Sequence, residues 1–151
     1  MPSTGGRPLA PDESVTWRCF LRWSEAVTSK VARQLTENVG VSQADYSILV
    51  RLSEAGGAIP RQALETRLSW SASRLSHQLT RMEARGLLRR ADAGFGRNVD
   101  VTLTDAGSAL FKAAEAVHGD AVRTDFLGTL PDAVVDFLHR VGAADQLHTE
   151  T

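Results

Sequence analysis

Apolar residues recur every three to four positions over most of the chain, which is the spacing of a helix with one buried face. The first such segment covers residues 12–38 and stops before Gly40. Ser42 is a suitable N-cap for a second helix that ends at Gly56–Gly57. The pattern therefore predicts two amphipathic helices, with apolar positions at Trp17, Phe20, Leu21, Val27, Val31 and Leu35 in the first and at Tyr46, Leu49, Val50 and Leu52 in the second.

Two further helices are predicted between Pro60 and Gly86. Pro60 can open a short helix over residues 61–68, and Ser71 can cap a longer one over residues 72–85. The longer helix divides into two stripes. One stripe is apolar and is expected to face the core: Ala72, Leu75, Leu79 and Met82. The opposite stripe is polar and is expected to face outward: Arg74, His77, Gln78 and Arg81.

The spacing changes after Gly86. Residues 87–90 can be extended, residues 93–96 form a turn, and residues 99–103 alternate apolar and polar side chains as a strand does. This segment predicts a small β-hairpin. Thr104 can then cap a helix over residues 105–127 with a stripe of Leu110, Ala114, Val117 and Ala121, and Pro131 can open a last helix that carries Val134, Phe137, Leu138 and Val141.

This order of elements predicts a mainly α fold with a small β-hairpin wing, a winged helix-turn-helix. Residues 1–11 are expected to be a flexible tail, residues 12–142 one domain and residues 143–151 a polar tail. Within the domain, residues 60–104 form the helix-turn-helix and wing. The helices at 12–38 and 105–142 carry more apolar surface than this core can cover, so they are expected to pair with a second copy.

Composition changes the picture at one place. The 151 residues carry a net charge of -1, which excludes a polybasic protein. Residues 60–97, however, contain eight arginines and three carboxylates, so positive charge is concentrated in the predicted helix-turn-helix. Such segregation is typical of a nucleic-acid binder with one basic surface. The alternatives are a solvated helix face, or a protein–protein adaptor whose basic face meets an acidic partner.

A helix of this kind fits the major groove of DNA, where Arg can donate two hydrogen bonds to guanine and Gln can bond adenine. Double-stranded DNA is therefore the predicted partner. A hairpin tip that carries Arg97 directly after Gly94 and Gly96 can enter the minor groove. The candidate DNA-binding residues are Arg61, Ser71, Ser73, Arg74, Ser76, His77, Gln78, Arg81 and Arg97.

The run LSWSASRLSHQLTRMEARGLLRR, residues 68–90, resembles the recognition helix and following strand of MarR-family transcription regulators. VDVTLTDAG at residues 99–107 resembles the family's return strand and next helix start, and SQADYSILVRL at residues 42–52 its second helix. The resemblance implies a homodimer built on the first, fifth and sixth helices. It also implies repression at an inverted-repeat operator and release by a small, often phenolic or anionic, effector. Phe95 stands where the family's wing usually has an Asp two residues before the wing Arg, here Arg97.

Two further sites are predicted on the first helix and beside it. Trp17, Trp23 and Tyr46 are candidates for the lining of an effector pocket, with the alternative that all three are core anchors. Cys19, the one cysteine, followed by Phe20 and Trp23, resembles the reactive cysteine of the family's hydroperoxide sensors, so a redox-sensing regulator is an alternative function.

Other classes of protein find no support in the chain. The four histidines are far apart and lack metal-ligand spacing, so no metal and no cofactor is expected. There is no catalytic motif, so the protein is not expected to be an enzyme. No secretory signal or membrane-spanning run is present, so a cytoplasmic location without membrane partners is expected.

Overall fold

A computed structural model describes residues 6–92 and 99–149 of the chain. Six helices and three strands follow one another in the predicted order, with one strand that the sequence did not predict. The elements are α1 Pro11–Val39, α2 Gln43–Glu54, β1 Ala58–Pro60, α3 Arg61–Leu68, α4 Ala72–Ala84, β2 Leu88–Asp92, β3 Val99–Leu103, α5 Asp105–Asp125, a 3-10 turn Leu127–Thr129, and α6 Asp132–Thr149.

The helix boundaries follow local chemistry. Ser42 caps α2: its hydroxyl accepts a hydrogen bond from the Asp45 N–H, and the Asp45 carboxylate accepts one from the Ser42 N–H. Ser71 and Thr104 cap α4 and α5, as predicted, because their hydroxyls accept hydrogen bonds from the N–H groups of Arg74 and Gly107. Gly40 ends α1 in the left-handed conformation, with φ of 64°, which glycine adopts at low cost.

A three-stranded antiparallel sheet in the order β1-β3-β2 extends the predicted hairpin by one strand. The unpredicted strand, β1, pairs Ile59 with Val101 of β3. Both side chains are buried, so this short strand closes one side of the core.

The core lies between α2, α3, α4 and the sheet. Leucine is its most frequent residue, and those without solvent exposure include Leu49, Leu52, Leu64, Leu75 and Leu79. The C-terminal half of α1 and the helix α5 pack beside it through Leu35, Phe111 and Ala114. This arrangement holds α4 on the body of the protein by its apolar side.

Three predicted boundaries or positions differ from the structure. Ala72, assigned to the inward stripe, is exposed, because it lies in the first turn of α4 before that helix meets α2. Helix α5 ends at Asp125 and a 3-10 turn follows, and α6 continues beyond Gly142, so the segment after Gly142 is helical to Thr149. No helix in the described part of the chain is long and apolar enough to cross a membrane.

Candidate nucleic-acid interface

Helix α4 presents the polar face that the sequence predicted, with one exception. Arg74, His77 and Arg81 are exposed along it, and Ser73 is exposed in its first turn. Ser76 is half-buried beside them. The start of the helix is fixed, because the Ser71 hydroxyl accepts a hydrogen bond from the Arg74 N–H at 3.2 Å. The exposed groups can donate hydrogen bonds to base edges or phosphates.

Gln78 is the exception, and the prediction that it faces outward is wrong. Its side chain is buried, and its amide nitrogen donates a hydrogen bond to Asp45 Oδ1 at 2.6 Å. The reason lies in helix geometry. Gln78 is four residues from exposed Arg74 but also three and four residues from buried Leu75 and Met82, so it lies on the border between the two faces. Asp45, far away in sequence, decides on which side the amide lies.

Asp45 joins the recognition helix to the rest of the fold. Besides Gln78, its carboxylate accepts a hydrogen bond from Arg85 Nη1 at 2.7 Å, and Arg85 Nη2 donates to the Gly40 carbonyl at 3.1 Å. Burial by itself raises the pKa of a carboxyl group, but the hydrogen bonds from Arg85 and Ser42 outweigh it, so the pKa of Asp45 lies below its ordinary value. The ionised carboxylate thus fixes both ends of the second half of α4 to the start of α2.

Arg61 is engaged within the fold. Its guanidinium forms an ion pair with Glu65 at 2.7 Å and donates to the Ala72 carbonyl at 3.5 Å. These contacts tie α3 to the first turn of α4. A direct DNA contact by Arg61 stays a prediction that must compete with this pair.

The base of the wing is held by a second ion pair. The backbone and guanidinium of Arg90 both donate to the carboxylate of Glu83, and these hydrogen bonds lower the pKa of Glu83 below its ordinary value. The tip of the wing, including Phe95 and the predicted minor-groove residue Arg97, lies outside the described residues.

Trp70 lies in the turn between α3 and α4, and the structure gives it a place in the site. The guanidinium carbon of Arg74 lies over the indole ring, 4.0 Å from the ring centroid. Trp70 itself is half-buried and packs against the core. A large aromatic side chain in an otherwise polar turn was the sequence signal for this contact.

A cavity of about 400 Å³ opens between α1, α2 and α5. Its lining is mostly apolar, with polar groups from Thr28, Gln43 and His118; the full lining is Val27, Thr28, Val31, Gln43, His118, Val122 and Phe126. Burial lowers the pKa of His118, so its ring is mainly neutral at neutral pH.

The three residues predicted to line an effector pocket have other positions. Tyr46 is buried and stacks on His118 with ring centroids 4.5 Å apart, so it lies behind the lining of the cavity. Trp23 packs on Phe126, which lines the cavity, at 5.7 Å. Trp17 stacks on Phe20 on the exposed half of α1. Tyr46 is thus a core residue, whereas Trp17 and Trp23 are exposed, at 53% and 39%.

Cys19 is exposed on α1, and Arg22 Nη2 lies 3.8 Å from its sulfur. Arg22 is three residues further along the same helix, and a redox role of Cys19 stays a prediction. Within residues 6–92 and 99–149 no three His, Cys, Asp or Glu side chains are grouped as a metal site.

Known proteins that are similar to this chain in sequence and in fold identify its family. No family model matches the chain. The transcriptional regulator HosA of Escherichia coli O157:H7 is 31% identical over 114 residues, which are 75% of this chain and 83% of HosA. The crystal structure of AbsC, a MarR family transcriptional regulator from Streptomyces coelicolor, is 30% identical with a TM-score of 0.84, over 95% of this chain and 99% of AbsC. This chain belongs to the MarR family of transcriptional regulators.

A second MarR family structure, Sco3205 from Streptomyces coelicolor in complex with DNA, is 26% identical to the chain. Its TM-score is 0.86, over 95% of this chain and 91% of Sco3205. The MarR fold confirms the predicted winged helix-turn-helix. The protein is accordingly a regulator and not an enzyme, as predicted.

Proposed function

We propose that this MarR family member is a homodimeric repressor that recognises a pseudo-palindromic DNA operator through α4. The observation that carries the proposal is the exposed row of Arg74, His77 and Arg81 on a helix whose opposite side is fixed to the core. Within the described part of the chain, neither arginine of this row forms an ion pair with a carboxylate, so their donors are free for a ligand. The complex of Sco3205 with DNA supports the same use of the fold.

The dimer is supported by apolar side chains that the single chain leaves exposed on α1 and α6. They are Val15, Trp17, Phe20, Leu21 and Trp23 on α1 and Val134, Phe137, Leu138 and Val141 on α6. Large apolar side chains exposed in this number are typical of a protein interface. Twofold symmetry places two recognition helices about 34 Å apart, which fits half-sites one helical turn apart.

Selection of bound duplexes from a random pool tests the proposal, because it reports DNA binding, symmetry and half-site spacing together. Arg74→Ala should then weaken binding to the selected operator by about 1–3 kcal/mol and relax the preference at one base pair of each half-site. Arg123→Ala is the control. Arg123 has the same charge but lies on α5, paired with Asp120 and largely exposed. If Arg74→Ala binds the operator as tightly and selectively as Arg123→Ala, α4 is not the reading helix.

Salt dependence separates this function from a protein–protein adaptor. Binding of a duplex through phosphate contacts falls steeply with salt because counterions are released. Titrations of wild type and operator at several salt concentrations should show that slope. No detectable duplex binding at low salt would favour the adaptor, with an acidic protein partner on the same face.

The cavity between α1, α2 and α5 supports a small effector that releases the operator. Among its lining residues none is cationic at neutral pH, which favours an uncharged phenol over a carboxylate. Gln43 and His118 can hydrogen-bond a phenolic hydroxyl. Titration calorimetry with phenol and with benzoate tests this assignment. We expect the protein to bind phenol but not benzoate, and Val27→Phe, which fills the cavity, should abolish the binding of phenol. Equal binding of benzoate would contradict the assignment.

A further inference from the structure

Trp70 is held in place from the backbone and from the core. Its backbone N–H donates a hydrogen bond to the backbone carbonyl of Glu65 in α3, at 3.2 Å. The preceding residue, Ser69, adopts the left-handed conformation with φ of 52°, which turns the chain sharply towards α4. The half-buried indole packs against the core cluster. The ring is therefore a fixed platform at the entrance of the recognition helix.

Arg74 is held both at its backbone and at the end of its side chain. Its backbone N–H is bound by the Ser71 cap, and its guanidinium carbon lies 4.0 Å from the centroid of the Trp70 ring. Trp is the aromatic side chain that attracts a cation most strongly. An exposed Arg otherwise samples many rotamers and loses that freedom on binding. The stack restricts the side chain before any ligand arrives.

The contact differs in kind from those of the neighbouring arginines. Arg61, Arg85 and Arg90 each place at least one N–H group on a carboxylate, so part of their donor set is occupied. An aromatic ring face attracts the charge without providing an oxygen acceptor for the N–H groups, and no hydrogen bond from the Arg74 guanidinium is recorded within the described residues. A guanidinium held in this way keeps its fork of donors, which is what bidentate recognition of guanine requires.

We propose that Trp70 is a positioning residue for operator recognition, which sets the guanidinium of Arg74 for bidentate contact with a guanine. This inference rests on the proposed DNA-binding function. It assigns base discrimination at one position of each half-site to a pair of residues, of which only Arg74 touches the DNA.

The test compares Trp70→Leu, which keeps an apolar side chain against the core but loses the ring, with Trp70→Phe, which keeps a ring. For each variant we measure affinity for the selected operator and for operators changed at the base pair that Arg74→Ala identifies. Trp70→Leu should lose about 2- to 5-fold of the discrimination at that base pair, and Trp70→Phe should restore most of it. The salt dependence should stay as in wild type, because no phosphate contact is removed.

A double-mutant cycle separates positioning from a general structural role. In the Arg74→Ala background, Trp70→Leu should change neither discrimination nor its base-pair dependence, since the residue it positions is absent. Unchanged discrimination in Trp70→Leu overturns the inference, and so does an equal loss at every base pair or an equal loss in the Arg74→Ala background. If Trp70→Leu does not fold, Trp70→Met takes its place, because it also keeps an apolar side chain and loses the ring, and the same outcomes support or overturn the inference. Wild type that selects no common duplex refutes the proposed function itself, a result distinct from all of these.

Discussion

Removal of the Asp45 carboxylate should destabilise the protein more than any exposed ion pair does, because one carboxylate serves three donors. In Asp45→Ala, the buried amide of Gln78 loses its acceptor, and an orphaned buried donor costs about 1–3 kcal/mol. The Ser42 N–H loses its capping acceptor, which costs about 1 kcal/mol. The Arg85 side chain is 40% exposed, so its lost ion pair adds about 0.2–1 kcal/mol only.

The expected loss for Asp45→Ala is therefore about 3 kcal/mol of unfolding free energy. For a chain of this length it corresponds to a decrease in Tm of roughly 6–12 °C. Asp45→Asn should lose about 1 kcal/mol, because the amide oxygen can still accept from Ser42 and Arg85 while its NH₂ donates to Gln78 after that amide flips. The side chain of Asn thus preserves the hydrogen bonds and loses only the charge.

Urea unfolding followed by circular dichroism measures these differences. All variants must be compared at one protein concentration, since dimerisation contributes to apparent stability. Glu54→Ala is the matched control: Glu54 pairs with Arg51 on the same helix, but its side chain is 51% exposed, so its loss should cost no more than about 0.5 kcal/mol. If Asp45→Ala is as stable as Glu54→Ala, the network does not hold α4 in place.

Three further predictions follow from burial, packing and exposure. Because the pKa of Asp45 is lowered on folding, its carboxylate stabilises the fold above the ordinary pKa, and this contribution is lost as the pH falls through the lowered pKa. Urea unfolding should therefore show that wild type loses its stability advantage over Asp45→Asn below about pH 4. An unchanged difference between the two proteins at about pH 2 would count against this prediction. Gly107→Ala should lower the unfolding free energy by about 1–3 kcal/mol, because its Cβ would collide with the Leu87 carbonyl. Gly119→Ala, whose Cβ makes ordinary contacts only, should be neutral or stabilising by about 1 kcal/mol, and equal stability of the two variants would refute the collision. Phe137→Asp should shift the sedimentation of the protein to that of a single chain, whereas Arg140→Ala, at an exposed position of the same helix, should leave it unchanged. If Phe137→Asp still sediments as a dimer, α6 is not part of the interface.

The helices were predictable because their signals are local. Ser42, Ser71 and Thr104 each accept a hydrogen bond from an N–H three residues on, so a cap is visible in the sequence as a hydroxyl before an apolar stripe. The predicted bounds of α3 agree with the structure, and those of α4 differ by one residue at its end. Where a short stretch of chain contains both the donor and the acceptor, the pattern is sufficient.

The rest depended on contacts between distant residues. Strand β1 has three residues and too little alternation to be recognised, and it exists because Ile59 pairs with Val101. Gln78 was assigned to the wrong face because its acceptor, Asp45, is 33 residues away. Helical periodicity predicts which face of a helix a side chain lies on, except at the border between the two faces. At that border, the hydrogen-bond partner of the side chain determines on which side it lies.

The same pairing changes how the basic segment is understood. Counting arginines suggested one broad basic surface, but Arg61, Arg85 and Arg90 end on carboxylates, and such pairs contribute little net positive potential. Within the described residues, Arg67, Arg74, Arg81 and Arg89 form no ion pair with a carboxylate, and of these only Arg74 and Arg81 lie on α4. Few free arginines therefore lie on the recognition helix itself, so its base selectivity must come from how they are held. The Asp45 network fixes the helix and Trp70 fixes Arg74, and these two supports are what makes so few donors sufficient for base reading.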